Sequence, residues 1–189
     1  IEGVQNNGII NHYEYIINSE GTIEIRHVLK PEGKMPLWFP RIGLTLTVSD
    51  ALDQVKWYGR GPQENYPDRK TGYPMGIYAS TVQAMYEPYL MPQDYGLRTD
   101  VRWLQLTTDK GIGLQFKMNE WFNFNIYPYS TDNLTKAMYT YQLQKQKGMT
   151  LNLDYATTGV GCTARGVFGA YKAMPQEYRR TISIRPMMK

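Results

Sequence analysis

The stretch Arg41-Ile42-Gly43-Leu44-Thr45-Leu46-Thr47-Val48-Ser49 decides how the chain is read. Ile42, Leu44, Leu46 and Val48 fall on one side of an extended backbone, Thr45 and Thr47 on the other. Strand side chains alternate, so this is the pattern of a strand with one face on a core and one in water. Upstream, residues 13–17 and 22–29 flank Asn18-Ser19-Glu20-Gly21 and read as a hairpin around a polar turn. In its second arm Ile23, Ile25 and His27 share one face, Glu24 and Arg26 the other. Pro31 and Pro36 mark a loop before the quoted strand.

Downstream, residues 53–58, 101–107, 112–117, 122–127, 151–155 and 181–185 read as further strands, with Asp109-Lys110-Gly111 a tight turn. Residues 59–92 change character. Pro62, Pro67, Pro74, Pro88 and Pro92 alternate with Gly59, Gly61, Gly72 and Gly76, which marks one long loop. Disordered segments are poor in aromatics, but this one holds Tyr66, Tyr73, Tyr78, Tyr86 and Tyr89, so it reads as ordered. Ser130 before Thr131-Asp132-Asn133-Leu134 is an N-cap for one short helix. The expected fold is all-β: two packed antiparallel sheets of about nine strands.

Composition narrows the function classes. The net charge of +4 is spread along the chain, with Arg69-Lys70 and Arg179-Arg180 the only adjacent basic pairs, so no nucleic-acid partner is expected. No apolar run approaches the roughly 20 residues of a membrane span. The chain opens on Ile1-Glu2-Gly3 without an initiator Met, as a piece excised from a longer protein would, and leaves its compartment unknown. Aromatics are 13% of residues, with 16 Tyr and 4 Trp, which suits strands and also the flat faces of sugars.

Most catalytic patterns are missing. Gly159-Val160-Gly161 runs into Cys162-Thr163, outside any βαβ context, so it is neither a phosphate loop nor a dinucleotide fingerprint. His12 and His27 are the two histidines and sit on different strands, which argues against a metal site and against Ser-His-Asp or Cys-His catalysis. Paired carboxylates remain: Glu64 and Asp68 in the long loop, Asp94 and Asp100 in the next. Glycoside cleavage needs two such groups about 5–5.5 or 6.5–9.5 Å apart across the bond. Arg60, Arg69, Arg98 and Arg102 lie close in sequence, so the favoured reading is that these acids pin the loops.

The segment Gly59-Arg60-Gly61-Pro62-Gln63-Glu64-Asn65-Tyr66-Pro67-Asp68-Arg69 closely resembles the GxGPQENYPDR segment of large β-galactosidases of glycoside hydrolase family two, in their last, small-chain domain. The likeness extends over Pro40-Arg41-Ile42-Gly43-Leu44, Met85-Tyr86-Glu87-Pro88-Tyr89, Pro92-Gln93, Gly96-Leu97-Arg98, Phe124-Asn125, Tyr129-Ser130, Leu134, Leu151-Asn152-Leu153-Asp154 and Gly159-Val160-Gly161. It implies an antiparallel β-supersandwich, similar to galactose mutarotase, with long loops and one short helix, as a single domain over residues 1–189. It also implies a parent that hydrolyses terminal β-D-galactose residues with retention. In that family the catalytic glutamates and the magnesium and sodium sites lie in a preceding (β/α)₈ barrel. No catalytic residue, metal or cofactor is therefore expected in this chain. The implied partners are the parent's other domains, β-galactosides such as lactose, and a homo-oligomer.

Family members deliver a tryptophan to the rim of the active site from the loop after Gly-x-Gly. Here residues 162–168 read Cys-Thr-Ala-Arg-Gly-Val-Phe, without that tryptophan or the acidic pair beside it. Arg165, by hydrogen bonding, and Phe168, by stacking, are the substrate-binding candidates left. Two other readings stand beside this one: a galactoside-binding module using the tyrosine-rich residues 66–95, and a purely structural interface domain. An independent epimerase is disfavoured because its acid–base chemistry wants a histidine among the loops, and His12 and His27 lie on early strands.

Overall fold

The computed structural model describes residues 7–162 and 166–188. The first two strands, β1 (Gly8–Ile17) and β2 (Ile23–Glu32), form the expected hairpin, in register from Gly8 opposite Glu32 to Ile17 opposite Ile23. Asn18 Oδ1 closes the turn by accepting from the Glu20 and Thr22 amides at 3.0 Å. Gly21 follows at φ +76°, where a side chain would be strained. Then come β3 (Arg41–Val48), β4 (Gln54–Arg60), β5 (Met75–Thr81), β6 (Arg98–Thr107) and β7 (Gly113–Tyr127). Helix α1 (Thr131–Lys136), β8 (Met149–Thr157) and β9 (Tyr178–Met187) complete the order. Every strand pair is antiparallel, in the order β1-β2-β9-β7-β6-β4-β5, with β3 joined through β8 to β7.

The branch at β7 makes the sandwich. Residues 113–118 of β7 pair with β9, and residues 123–127 pair with β8. Between them the register against β6 slips, from Val101 opposite Phe122 to Trp103 opposite Lys117. Extra residues in one strand bend it, and the two halves of β7 thereby feed two arms. The arms meet through Ile25 and Leu29 of β2, Ile182 of β9, Ile42 of β3 and Tyr155 of β8. A larger core gathers Trp57, Phe116, Phe122, Phe124, Leu151 and Leu153, all fully buried. The Trp57 indole N–H donates to the Arg60 carbonyl at 3.0 Å, so burying it leaves no orphan donor.

The all-β architecture and the short helix stand as read from sequence. Ser130 caps α1, its hydroxyl accepting from the Asn133 amide at 3.0 Å. Three details differ. Residues 59–92 are not one loop: β5 lies inside them and pairs with β4 from Gln54–Thr81 to Arg60–Met75. It is an edge strand whose Met75 and Ile77 are exposed, so it lacks the apolar stripe that betrays a core strand. The stretches read as two strands over 112–117 and 122–127 fall on a single strand, Gly113–Tyr127, the bend in β7 having read as a break. And β2 continues through Pro31, because beyond Leu29 it has lost its β9 partner and tolerates a residue without an N–H.

One satellite cluster positions the loops discussed next. Leu134 of α1 packs with buried Tyr95 and Tyr127, flanked by Tyr86, Tyr89 and Tyr129. The tyrosines between β5 and β6 are thus the packing surface under the short helix.

Candidate functional site

The Gly59–Arg69 motif folds into a corner held by its own polar groups. The Glu64 carboxylate accepts from Arg69 Nη2 at 2.7 Å, the Gly96 amide at 2.8 Å, the Tyr66 hydroxyl at 3.3 Å and the Tyr89 hydroxyl. Asn65 is 0% exposed. Its Oδ1 accepts from the Thr99 amide at 3.1 Å and hydroxyl at 2.5 Å, and its backbone N–H donates to the Leu97 carbonyl at 2.8 Å. Arg98 donates to the Gly96 carbonyl at 2.8 Å and the Pro62 carbonyl at 3.0 Å, with its guanidinium 5.6 Å from the Trp57 ring centre. Burial pushes Arg98 down to about 10, against the fields of Glu87 and Glu64. Asp100 accepts from Arg60 Nε at 2.6 Å and Lys70 Nζ at 2.8 Å. Burial raises this carboxyl, but the hydrogen bonds from Lys70 and Arg60 outweigh it and leave it below the usual carboxylate range.

Asp68 ties this corner to the segment after β8. Its carboxylate accepts from the Val160 amide at 3.1 Å and the Gly161 amide at 2.6 Å. A Cβ on Gly159 would stand 2.4 Å from Asp68 Cγ. Glycine is needed there because a carboxylate lies directly against the backbone. The two signature stretches, 59–69 and 159–161, are therefore one structural unit.

Beside this unit opens a groove of about 860 Å³, lined by Trp38, Arg41, Arg69, Tyr89, Asp94 and Val160 among others. That volume is within the range of small-molecule sites. Trp38 is held by its neighbour Phe39, whose N–H donates to the Ala173 carbonyl at 2.9 Å and whose carbonyl accepts from the Thr158 hydroxyl at 2.6 Å. Asp94 accepts from Asn125 Nδ2 at 2.9 Å, the Tyr127 hydroxyl at 3.0 Å and, at 3.4 Å, Arg41. Its side chain stays 45% exposed. Arg41 reaches inward as well, 3.0 Å from buried Asp154. Burial works against the Arg41 charge, yet Asp154 and Asp94 more than compensate and hold it protonated. Burial pushes the Asp154 carboxyl up to about 7, with Arg41 opposing and Asp94 reinforcing the shift. Asn152 bridges Asn125 Oδ1 at 2.8 Å and the Tyr127 hydroxyl at 3.0 Å, which fixes the floor.

The residues singled out from sequence separate clearly. Glu64, Asp68 and Asp100 are engaged by internal donors, whereas Asp94 lines the groove. Phe168 is 67% exposed, immediately before a 3₁₀ turn (Gly169–Tyr171), and its neighbour Val167 lines the groove. Arg165 lies outside the described residues. His27 is a packed core residue: Nδ1 is 2.7 Å from the Tyr155 hydroxyl, Nε2 is 3.0 Å from Asn11 Oδ1, and Tyr13 stacks on the ring at 4.1 Å. Among the described residues no three of His, Cys, Asp or Glu converge as metal ligands, and no helix is long and apolar enough to cross a membrane. Sequence reasoning did not assign Trp38 or Arg41 to a site. The available signals were a tryptophan between Pro36 and Pro40, and an arginine heading an otherwise apolar alternating strand.

A family model described as the β-galactosidase small chain matches residues 3–184. The β-galactosidase of Priestia megaterium is 38% identical over 147 residues, covering 78% of this chain and 14% of that protein. That of Vibrio cholerae is 39% identical over 122 residues, 65% of this chain and 11% of the relative. That of Pseudoalteromonas haloplanktis is 33% identical over 159 residues, 82% of this chain and 14% of the relative. The chain thus spans 11–14% of the length of these relatives.

Proposed function

The chain belongs to the β-galactosidase small-chain family, and from that premise we propose that it is one non-catalytic C-terminal domain, residues 1–189, of a β-galactosidase. The parent hydrolyses terminal non-reducing β-D-galactose residues with retention, in a barrel domain that this chain does not include. The observation that carries this reading is the match over residues 3–184, in a chain spanning 14% or less of relatives that bear the β-galactosidase name. The magnesium and sodium implied by the family belong to that barrel.

Its contribution is to complete the rim of the site and the assembly. The unit formed by residues 59–69 and 159–161 fixes the base of the loop 162–168, with the Gly166 amide donating to the Cys162 carbonyl at 3.1 Å. Arg165 and Phe168 are the rim contacts toward a galactoside, and Phe168, 67% exposed, offers an aromatic ring. The test compares the 189-residue chain with the full-length parent on a chromogenic β-galactoside. The expected result is turnover by the parent alone. Turnover by the chain on its own contradicts the reading.

A further inference from the structure

We propose that the groove between Trp38 and Asp94 is a carbohydrate-binding site, taking a neutral galactoside of one or two pyranose rings. A pyranose offers vicinal hydroxyls, each both donor and acceptor, and a patch of C–H bonds. The matching surface is a carboxylate next to guanidinium groups, with an aromatic ring to one side. The groove has each part. Asp94 Oδ2 receives only the long 3.4 Å contact from Arg41 among the described residues, so it keeps lone pairs for a sugar hydroxyl. Arg69 spends Nη2 on Glu64, and its side chain is 48% exposed. Trp38 is 38% exposed, and Lys172, 5.7 Å from the ring centre, is the one cation over its face among the described residues.

These groups are fixed before any ligand arrives. Asn125 and Tyr127 orient Asp94, Asp154 orients Arg41, Glu64 orients Tyr89, and the Phe39 backbone bonds anchor the main chain beside Trp38. Preorganisation of this kind lowers the ordering cost that usually weakens sugar binding. Charge selects the ligand class. Arg41 and Arg69 alone would suit a phosphate, but the half-exposed Asp94 carboxylate repels an anion and suits a neutral polyol. The volume of about 860 Å³ exceeds what one ring fills, so lactose should bind better than galactose. The choice of galactosides over other sugars rests on the proposed function; the existence of the site does not.

The experiment is calorimetric titration of the 189-residue chain with lactose, galactose, glucose and inorganic phosphate. Saturable lactose binding is expected, tighter than galactose and glucose, with no phosphate binding. Trp38→Ala should weaken lactose by about 10-fold or more with the unfolding midpoint unchanged. Asp94→Asn, which keeps an acceptor for Asn125 and Tyr127, should weaken it by about 10-fold and reads the site if the tryptophan variant does not fold. Absence of saturable lactose binding, affinity indifferent to both substitutions, or phosphate competing with lactose would overturn the site. Equal affinity for glucose and galactose would overturn the galactoside assignment. A full-length parent inactive on β-galactosides would refute the proposed function and leave the titration of this chain unaffected, so the two failures are separable.

Discussion

Among the described residues, Glu64 lies 7% exposed with four donors around its carboxylate, whereas Asp94 keeps its side chain 45% exposed with one oxygen reached only by Arg41 at 3.4 Å. Both acids sit near arginines, both come from loops beside β4 or β6, and Tyr89 touches the first while lining the groove of the second. Yet one cluster is closed and the other open. Carboxylates whose lone pairs are all taken up by internal donors hold a loop; a carboxylate fixed by its neighbours but left partly unsatisfied can hold a ligand. Residue type and spacing do not separate the two cases. The count of donors around each oxygen does.

The closed corner should break hardest. Asn65→Ala leaves the buried Thr99 amide and hydroxyl without their acceptor and should cost about 3 kcal/mol in urea unfolding. A loss under about 1 kcal/mol would mean that the corner is not what fixes the loop. Gly159→Ala should cost about 2 kcal/mol, since the new Cβ meets Asp68 Cγ at 2.4 Å. Combined with Asp68→Ala the penalty should be less than additive, because the clash leaves with the carboxylate.

The open cluster is sharpened by pH. Asp154 titrates near 7 in the folded chain against 3.8 as its ordinary value. Between those values the folded state holds a proton that the unfolded state has released, so this group makes stability fall as pH rises from about 4 to about 7. Asp154→Asn lacks the titration, and its Tm should be flatter across that window than the wild type's. A wild-type profile parallel to the variant's would remove the coupling. The smallest effect belongs to neither cluster. Lys136→Ala breaks the exposed i,i+4 pair with Asp132, at 2.8 Å, and should change stability by less than about 0.5 kcal/mol.

Much of the fold was legible because a half-buried strand writes its burial into every second residue. The quoted β3 pattern places Ile42 and Val48 in the cores, and the cap at Ser130 stands where the sequence puts it. Edge strand β5 escaped notice because an exposed strand writes no such pattern, and the bend in β7 masqueraded as a gap. The motif 59–69 was legible as a resemblance and its acids as loop pins, which Glu64 and Asp68 are, but the donors they meet were not legible. Whether Asp68 faces a substrate or the Val160 and Gly161 amides depends on a contact between positions some ninety residues apart, which periodicity cannot carry. The groove was hidden for the same reason: Trp38 and Arg41 lead into β3, Asp94 precedes β6 and Val160 follows β8, and only the folded sheet brings these three segments together.

The central claim, that one cluster builds the loops and the other receives a sugar, is tested most directly by measuring unfolding free energy and lactose affinity together on Asp100→Ala and Trp38→Ala. Asp100 holds Arg60 and Lys70 away from the groove, so its variant should lose stability and keep lactose affinity. Trp38→Ala should keep stability and lose affinity. The reverse pattern, with lactose binding lost in Asp100→Ala at full stability and retained in a destabilised Trp38→Ala, would contradict the account.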